Sequence, residues 1–127
     1  MKNPFGELIG LNIARQDAGF SELNLTITPD LLNPHQVAHG AVLYALADTG
    51  MGAALYPSLA EGELCATIEI KMNYFAPVFS GDVVCQTRLV HRGKKIAHLE
   101  SELTLDGKLV AKASGNYAIF KPSGNRS

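Results

Sequence analysis

The chain has 127 residues, a formal net charge of −1, and a composition that is 46% hydrophobic and 18% charged. This length fits one domain with a hydrophobic core, and we expect a single domain over residues 1–127. The nearly neutral charge excludes a general attraction to nucleic acid or to anionic membranes, and the sequence contains no nucleic-acid-binding motif. No segment has the length and hydrophobicity of a signal peptide or a membrane span, so we expect a cytoplasmic protein.

The first third of the chain predicts a short helix followed by a strand. Residues 3–9 are compatible with a short helix. In the segment SELNLTIT, Leu23, Leu25 and Ile27 alternate with polar residues, which is the period of a half-buried strand.

The segment from Gly40 to about Leu55 predicts a long helix. Its sixteen residues are rich in Ala, Leu and Met, which favour helix. Apolar residues occur all around its circumference, and a helix that is apolar on every side is expected to be buried on every side.

The second half of the chain predicts four long strands. In ATIEIKMNYF, residues 66–75, alternation would place one set of side chains on each face of a strand. The first set is Ile68, Ile70, Met72 and Tyr74, and the second is Thr67, Glu69, Lys71 and Asn73. The strands VVCQTRLVH, IAHLESELTL and LVAKASGNYAIF follow, separated by the turn segments APVFSGD, RGKK and DGK. We expect these four strands to form an antiparallel meander, followed by a frayed polar tail at residues 122–127.

One long helix and five to six antiparallel strands indicate an α+β domain. We expect a curved antiparallel sheet that wraps the long central helix, the arrangement called the hotdog fold. Cys65 and Cys85 lie far apart in strand-like segments, without histidine or cysteine at metal-binding spacing. We therefore expect two small buried thiols in a reducing compartment and no metal site.

A single carboxylate, Asp48, interrupts the apolar helix. An unpaired carboxylate in a core costs several kcal/mol, so this group must be paired, protonated or functional. One interpretation is architectural, with Asp48 bonded to a neighbouring Ser, Thr or Lys. The other is catalytic, and the residues in front of the helix favour it.

The residues at the start of the helix suit the binding of a carbonyl oxygen. The N–H of Gly40 is an unpaired donor at the positive end of the helix dipole, and the missing side chain lets a ligand approach. Such a position stabilises an oxygen that becomes an oxyanion, and the Asn33 amide could donate to the same atom. A structural interpretation stays open for both neighbours, with His39 as an N-cap residue and Asn33 as a turn residue before Pro34.

The spacing of Gly40 and Asp48 constrains the assembly. Eight residues of helix separate them by about 12 Å, whereas a catalytic carboxylate must lie about 3 to 3.5 Å from the reacting carbon or act through one water. One chain therefore cannot place both groups on one thioester or ester. If they cooperate, they come from different subunits, and a homodimer would contain two equivalent composite sites.

The order and spacing of these residues resemble a known family. The matching residues are Asn33, His39, Gly40, the sequence Leu46-Ala47-Asp48, the strand Thr67 to Tyr74 and the APV that follows it. They resemble the hotdog-fold acyl-CoA thioesterases of the phenylacetate-pathway type, and the 4-hydroxybenzoyl-CoA thioesterases of the same superfamily are less similar. The similarity extends from about Phe5 to Lys121, which is nearly the whole chain.

The resemblance implies a role for each matching residue. The Gly40 N–H would polarise the thioester carbonyl, with Asn33 assisting nearby. Asp48 would act as nucleophile or as general base on water, and Thr67 would help to position the attacking water or the carboxylate. His39 would order the loop and the helix start.

The resemblance also implies the reaction and the assembly. We expect hydrolysis of an acyl-CoA thioester to free acid and coenzyme A, without a metal or any cofactor beyond the coenzyme A of the substrate. We expect a homodimer with shared active sites that pairs into a tetramer. The family usually has His-Gly-Gly, whereas Ala41 follows Gly40 here, so we expect the same mechanism with a slightly different pocket shape.

Basic and aromatic residues indicate where the substrate would bind. The candidates for the coenzyme A phosphates are Arg88, Arg92, Lys94 and Lys95, since guanidinium and ammonium groups suit phosphate. A solvated hairpin tip is the alternative interpretation. The candidates for the acyl pocket are Tyr56, Phe75 and Phe79, with ordinary core packing as the alternative.

Two other functions stay open. A hotdog hydratase or dehydratase would pair a catalytic histidine with a carboxylate around its own motif, which is not found in this sequence. A non-catalytic acyl-CoA sensor would need an output domain, for which 127 residues leave no space, and Asp48 also favours chemistry.

Overall fold

The computed structural model describes residues 2–122. Within them lie the helices α1 (Pro4–Ile9) and α2 (Gly40–Leu55) and the strands β1 (Asn12–Asp17), β2 (Phe20–Ile27), β3 (Leu64–Tyr74), β4 (Gly81–Arg92), β5 (Ile96–Leu105) and β6 (Lys108–Phe120). Short 3-10 helices at Pro29–Leu31 and Tyr56–Ser58 stand before and after α2. The short N-terminal helix and the long helix are confirmed. The frayed tail expected at 122–127 lies outside the described residues, apart from Pro122.

The six strands form one antiparallel sheet in the order β1-β2-β4-β5-β6-β3. β4, β5 and β6 form a meander as expected, but the prediction that β3 belongs to it is wrong, because β3 pairs with β6 at the edge of the sheet. β4 instead pairs with β2, from Ile27 opposite Gly81 to Phe20 opposite Arg88. The chain must therefore cross over after β3, and the segment 75–80 is a crossing connection and not a hairpin turn.

The sequence pattern predicts the turn between β5 and β6 but not strand β1. Asp106 and Gly107 both have positive φ, 51° and 79°, which is the backbone of the tight hairpin turn that Asp-Gly predicts. The pattern does not reveal β1, because all six of its residues are exposed and therefore show no alternation.

Helix α2 and the inner face of the sheet form the hydrophobic core. Leu46, Met51 and Leu55 of the helix are fully buried. The fully or almost fully buried strand residues around them include Leu23, Leu25, Val83, Leu99 and Leu103. The sheet that packs around one long helix is the hotdog arrangement that the sequence predicts.

Helix α2 is nevertheless not buried on every side, and that prediction is wrong along one face. Ala41 and Tyr44 are exposed, and Asp48 and Gly52 are half-buried. Their spacing of three or four residues places all four on the same face of the helix. This open stripe brings the single carboxylate of the helix to the surface of the chain.

A β-bulge in β3 changes which side chains face the helix. Thr67 pairs with Tyr117 and Glu69 pairs with Asn116, so Ile68 is an extra residue between them. Ile68 is 53% exposed, and the prediction that it shares one face of the strand with Ile70 is wrong. The bulge instead turns Thr67 towards the helix, whereas strict alternation predicts that it faces away.

Helix α2 approaches the sheet closely at Gly50. A Cβ atom at this position would lie 2.8 Å from Thr87 Oγ1. Thr87 is buried and shares a hydrogen bond of 2.7 Å with Ser101, and Ser21 Oγ donates to the Gly50 carbonyl oxygen at 2.6 Å. The helix therefore rests on a small group of hydroxyls that are already bonded and have little freedom to move.

This contact predicts opposite effects for two substitutions on one helix. Gly50→Ala is expected to lower the free energy of unfolding by about 1–3 kcal/mol, because a buried, bonded hydroxyl must move to admit the methyl group. Gly52→Ala is the matched control, because an added Cβ there meets nothing within 4 Å and alanine favours helix by about 0.8–1 kcal/mol. Denaturant unfolding measures both, and equal stability of the two variants would contradict the packing.

Candidate active site

Asp48 lies on the open stripe and contacts two strands of the sheet. Its Oδ1 accepts a hydrogen bond from the Thr67 hydroxyl at 2.8 Å and another from the Tyr117 hydroxyl. The Tyr117 hydroxyl also lies 2.7 Å from the Asp48 carbonyl oxygen. Thr67 and Tyr117 stand opposite each other in the register of β3 and β6. The carboxylate is therefore paired through hydroxyl groups, and the predicted neighbour Thr67 is one of its partners.

Tyr117 is the member of this cluster that the sequence pattern does not reveal. It occupies an ordinary inward-facing position of β6 and is only 3% exposed. Burial, and after it the hydrogen bond to Asp48, raise the pKa of the Tyr117 phenol far above its usual value. The phenol therefore stays protonated and acts as a donor towards the carboxylate. The signal that could have found it is the register of β6 against β3, which one sequence does not contain.

The start of α2 combines a side-chain cap with a close aromatic contact. His39 Nδ1 accepts a hydrogen bond from the Ala41 N–H at 3.0 Å, which makes His39 the N-cap residue. The Tyr74 hydroxyl donates to the Gly40 carbonyl oxygen at 2.7 Å, and a Cβ at Gly40 would lie only 3.2 Å from that hydroxyl. Within residues 2–122 the Gly40 N–H donates to no acceptor, as the first turn of a helix leads one to expect.

Asn33 lies in the loop between β2 and α2, where its side chain closes a turn. Its Oδ1 accepts a hydrogen bond from the His35 N–H at 2.8 Å, and its own N–H donates to the Val37 carbonyl oxygen at 2.8 Å. These contacts agree with the turn interpretation. Within residues 2–122 the Nδ2 group of Asn33 forms no hydrogen bond, so it stays available as a donor.

A groove of about 320 Å³ lies beside the helix start. Its walls are Val37, Ala38, Gly40 and the segment 74–78. Phe75 is thus next to Gly40, where an acyl group would be expected. Phe79 is 64% exposed and does not line this groove, and Tyr56 follows the opposite end of α2. Of the three residues predicted for the acyl pocket, the chain brings Phe75 to the groove.

The four basic residues predicted to bind coenzyme A do not form one cluster. Lys94 and Lys95 are exposed in the turn between β4 and β5. Arg92 forms a salt bridge of 2.8 Å with Glu63, and these side chains are only 27% and 16% exposed. Arg88 lies 3.6 Å from a glutamate of β5, on the face of β4 that points away from the helix. Lys94 and Lys95 are therefore the accessible neighbours in this turn, Arg88 is exposed but lies elsewhere on β4, and Glu63 holds the Arg92 guanidinium.

Gly40 and Asp48 lie on one regular helix, so the separation predicted from their spacing holds. Eight residues correspond to about 12 Å along the axis. Each group has its own partner on β3, since Tyr74 contacts Gly40 and Thr67 contacts Asp48. The helix start and Asp48 thus lie apart, next to the same edge strand.

Other expected features concern metals, membranes and thiols. Residues 2–122 contain no group of three or more His, Cys, Asp or Glu side chains placed to hold a metal ion. In this part of the chain no helix is both long and apolar enough to span a membrane. Cys85 is a buried free thiol as expected, and burial raises its pKa to about 11, whereas Cys65 is only half-buried. The cytoplasmic location stays a prediction.

The profile that describes the Thioesterase superfamily matches residues 35–112 of the chain. The match covers more than half of the chain and includes all of α2, with Gly40 and Asp48. The chain therefore belongs to the Thioesterase superfamily.

Individual relatives support a narrower class. The acyl-coenzyme A thioesterase PaaI of Escherichia coli (strain K12) is 29% identical over 119 residues, which are 93% of this chain and 79% of that protein. The solved structure of protein PA5202 from Pseudomonas aeruginosa has a TM-score of 0.90 at 34% identity, over 94% of this chain and 96% of that chain. A mutant of the phenylacetic acid degradation protein PaaI from Thermus thermophilus has a TM-score of 0.86 at 29% identity, over 91% and 98%. This chain is a hotdog-fold thioester hydrolase of the PaaI type.

Proposed function

We propose that the protein hydrolyses the thioester bond of an acyl-CoA or aryl-CoA, with Asp48 as nucleophile or general base. The observation that carries this proposal is the Asp48 carboxylate on the open stripe, held through Oδ1 by Thr67 and Tyr117. Its other oxygen, Oδ2, makes no hydrogen bond with residues 2–122 and is open to react. The E. coli relative is named as an acyl-coenzyme A thioesterase, which supports a coenzyme A ester as the substrate class.

The proposed reaction needs only water and the substrate. As a general base, Asp48 Oδ2 takes a proton from water while the water oxygen attacks the carbonyl carbon. The carbonyl oxygen becomes an oxyanion beside the Gly40 N–H, with the Asn33 amide as a second donor. The C–S bond then breaks, and Asp48 returns the proton to the departing coenzyme A thiolate. As a nucleophile, Oδ2 attacks the carbon itself, the C–S bond breaks, and coenzyme A leaves as a thiolate. Water then hydrolyses the mixed anhydride to the free acid and the Asp48 carboxylate, and the proton that this step releases neutralises the thiolate.

In the proposed assembly, each site combines the helix start of one chain with Asp48 of a second copy. The distance of about 12 Å between Gly40 and Asp48 requires this if both act on one carbonyl group. β3 supports the assembly, because this strand of eleven residues pairs with β6 on one side and forms the edge of the sheet on the other. A two-fold axis at that edge would cover the open stripe and the exposed Ile68. Two such dimers would form the tetramer that the resemblance implies.

The proposed substrate contacts follow the accessible groups. The coenzyme A phosphates bind Lys94 and Lys95, because Glu63 already holds the Arg92 guanidinium. The acyl group enters the groove beside Phe75, next to the Gly40 N–H that receives its carbonyl oxygen.

The role of Asp48 is tested by Asp48→Asn, which removes the charge and nearly preserves the shape. We expect kcat for the best acyl-CoA of a panel to fall by about 10² or more, because base or nucleophile roles contribute at least that factor. Asp82→Asn is the matched control, since Asp82 also accepts a hydrogen bond from a threonine, Thr26, on the exposed side of the sheet. Thiol release measures both. Near-normal turnover by Asp48→Asn would remove Asp48 from the mechanism.

The composite site is tested by mixing two inactive variants. One carries Asp48→Asn, and the other carries Asn33→Ala with Gly40→Pro, which removes the amide and the N–H. Proline suits the first helical position, but its Cβ would press on the Tyr74 hydroxyl, so circular dichroism first establishes that this variant is folded. Random re-pairing gives roughly half heterodimers with one intact site of two, so about a quarter of the wild-type activity should return. One variant is uniformly labelled with ¹⁵N, so that native mass spectrometry of the mixture distinguishes heterodimers from homodimers and also reports the tetramer. Heterodimers without recovered activity would show that each site lies within one chain.

The contact with coenzyme A is tested by Lys94→Gln with Lys95→Gln. We expect KM for acyl-CoA to rise several-fold at low salt while kcat changes little, because phosphates far from the thioester contribute uniform binding. The effect should shrink as salt screens the charges. The N-acetylcysteamine thioester of the same acyl group lacks the phosphates, so its KM should not change. An unchanged KM for acyl-CoA at low salt would show that the turn between β4 and β5 is only a solvated hairpin tip and does not bind coenzyme A.

A further inference from the structure

Tyr117 contacts the proposed catalytic carboxylate from the buried side. Its hydroxyl donates to Asp48 Oδ1 and lies 2.7 Å from the carbonyl oxygen of the same residue. Thr67 donates to the same Oδ1 at 2.8 Å. Two donors therefore converge on one oxygen of the carboxylate, and neither contacts Oδ2. This asymmetry distinguishes the two oxygens of a group that is otherwise symmetric.

The donors come from neighbouring strands whose register is fixed by the sheet. Thr67 of β3 stands opposite Tyr117 of β6, and the bulge at Ile68 is what turns Thr67 towards the helix. An aspartate side chain on a helix rotates readily about its last bond, and a single donor would leave that rotation partly free. Two donors on rigid strands fix the plane of the carboxylate.

We propose that Tyr117 is a positioning residue, which holds Asp48 Oδ1 so that Oδ2 is the oxygen that reacts with water or with the thioester carbon. The inference rests on the proposed function, since it assigns Asp48 to the chemistry. Tyr117 itself transfers no proton: burial keeps it a phenol, as its raised pKa indicates.

The alternative role for Tyr117 is that of an anchor between the helix and the sheet. Ser21 provides the comparison, because its buried hydroxyl donates to the Gly50 carbonyl oxygen of the same helix at 2.6 Å and has no contact with Asp48. Removal of either hydroxyl should reduce the melting temperature. Only removal of the Tyr117 hydroxyl should change the chemistry of the carboxylate.

The test compares Tyr117→Phe with Ser21→Ala in the full-length chain, with an acyl-CoA that the wild type hydrolyses. For Tyr117→Phe we expect kcat to fall by about ten- to a hundredfold, with KM changed less than about twofold. Ser21→Ala should keep kcat within about twofold of the wild type, because the Ser21 hydroxyl contacts the Gly50 carbonyl oxygen and not Asp48. An unchanged kcat in Tyr117→Phe, or an equal fall of kcat in Ser21→Ala, would reduce Tyr117 to an anchor.

A second variant preserves the test if Tyr117→Phe does not fold. Replacement of Tyr117 alone by 3-fluorotyrosine keeps the ring and the hydroxyl but makes the phenol a stronger donor. A stronger donor draws more charge onto Oδ1 and leaves Oδ2 less reactive, so kcat should fall several-fold while KM changes less than about twofold. An unchanged kcat would overturn the proposal. Asp48→Asn distinguishes failure of the proposed function from failure of the positioning role. If it is active, the proposed function fails, whereas an inactive Asp48→Asn beside a fully active Tyr117→Phe rejects only the positioning role.

Discussion

The close contact between α2 and the inner face of the sheet is the constraint on which the rest of the structure depends. Both the helix and the sheet have a glycine at this contact. A Cβ at Gly50 of the helix would lie 2.8 Å from Thr87 Oγ1, and a Cβ at Gly115 of β6 would lie 2.7 Å from Met51 Sδ. Such a contact does not allow the helix to slide or to rotate about its axis. Asp48 is thereby fixed opposite the two hydroxyls of β3 and β6, and the helix start is fixed against Tyr74.

This fixed helix explains how a carboxylate can stand in a segment that is otherwise apolar. Full burial of the charge would carry a large desolvation penalty, whereas full exposure would let water surround it and would leave its orientation undefined. The open stripe gives Asp48 an intermediate position, with solvent on one side and bonded hydroxyls on the other. The architectural and catalytic interpretations of Asp48 are therefore compatible, because the bonds that stabilise the charge also orient it.

The sequence predicts those parts of the molecule that depend on local periodicity. Helix α2 and strand β2 are predicted from the periodicity of their apolar residues. Asp48 and Gly40 stand out as candidates because one is a charged residue within an apolar helix and the other is a glycine at its start. The place of β3 at the edge beside β6 could not be predicted, because the connection 75–80 carries no signal for which strand comes next in the sheet. The bulge at Ile68 is invisible for a related reason, since ATIEIKMNYF alternates without interruption and only the pairing with β6 shows the extra residue.

The same limitation applies to the partners of the candidate site. Nothing in the sequence around Tyr117 or Glu63 marks either residue as part of a site. Their roles become visible only in the folded chain, where Tyr117 contacts Asp48 and Glu63 contacts Arg92. Sequence spacing therefore suggested a basic cluster that includes Arg92, whereas the structure leaves the two neighbouring lysines accessible. Long-range pairing decides these contacts, and a single sequence does not contain it.

The position of Asp48 along α2 explains why its hydrogen-bonded neighbours and the proposed shared active site go together. Tyr44 is the next residue of the open stripe, one turn nearer to Gly40. A carboxylate at that position would lie about 6 Å along the axis from the helix start. A carboxylate there would come closer to an oxyanion bound at its own helix start. It would also lose Thr67 and Tyr117, whose places on β3 and β6 are fixed beside Asp48. This chain therefore holds the charge where hydroxyls stabilise it and not near its own helix start. In the proposed dimer a second copy would remove that conflict, because it would bring another helix start to a carboxylate that is already held.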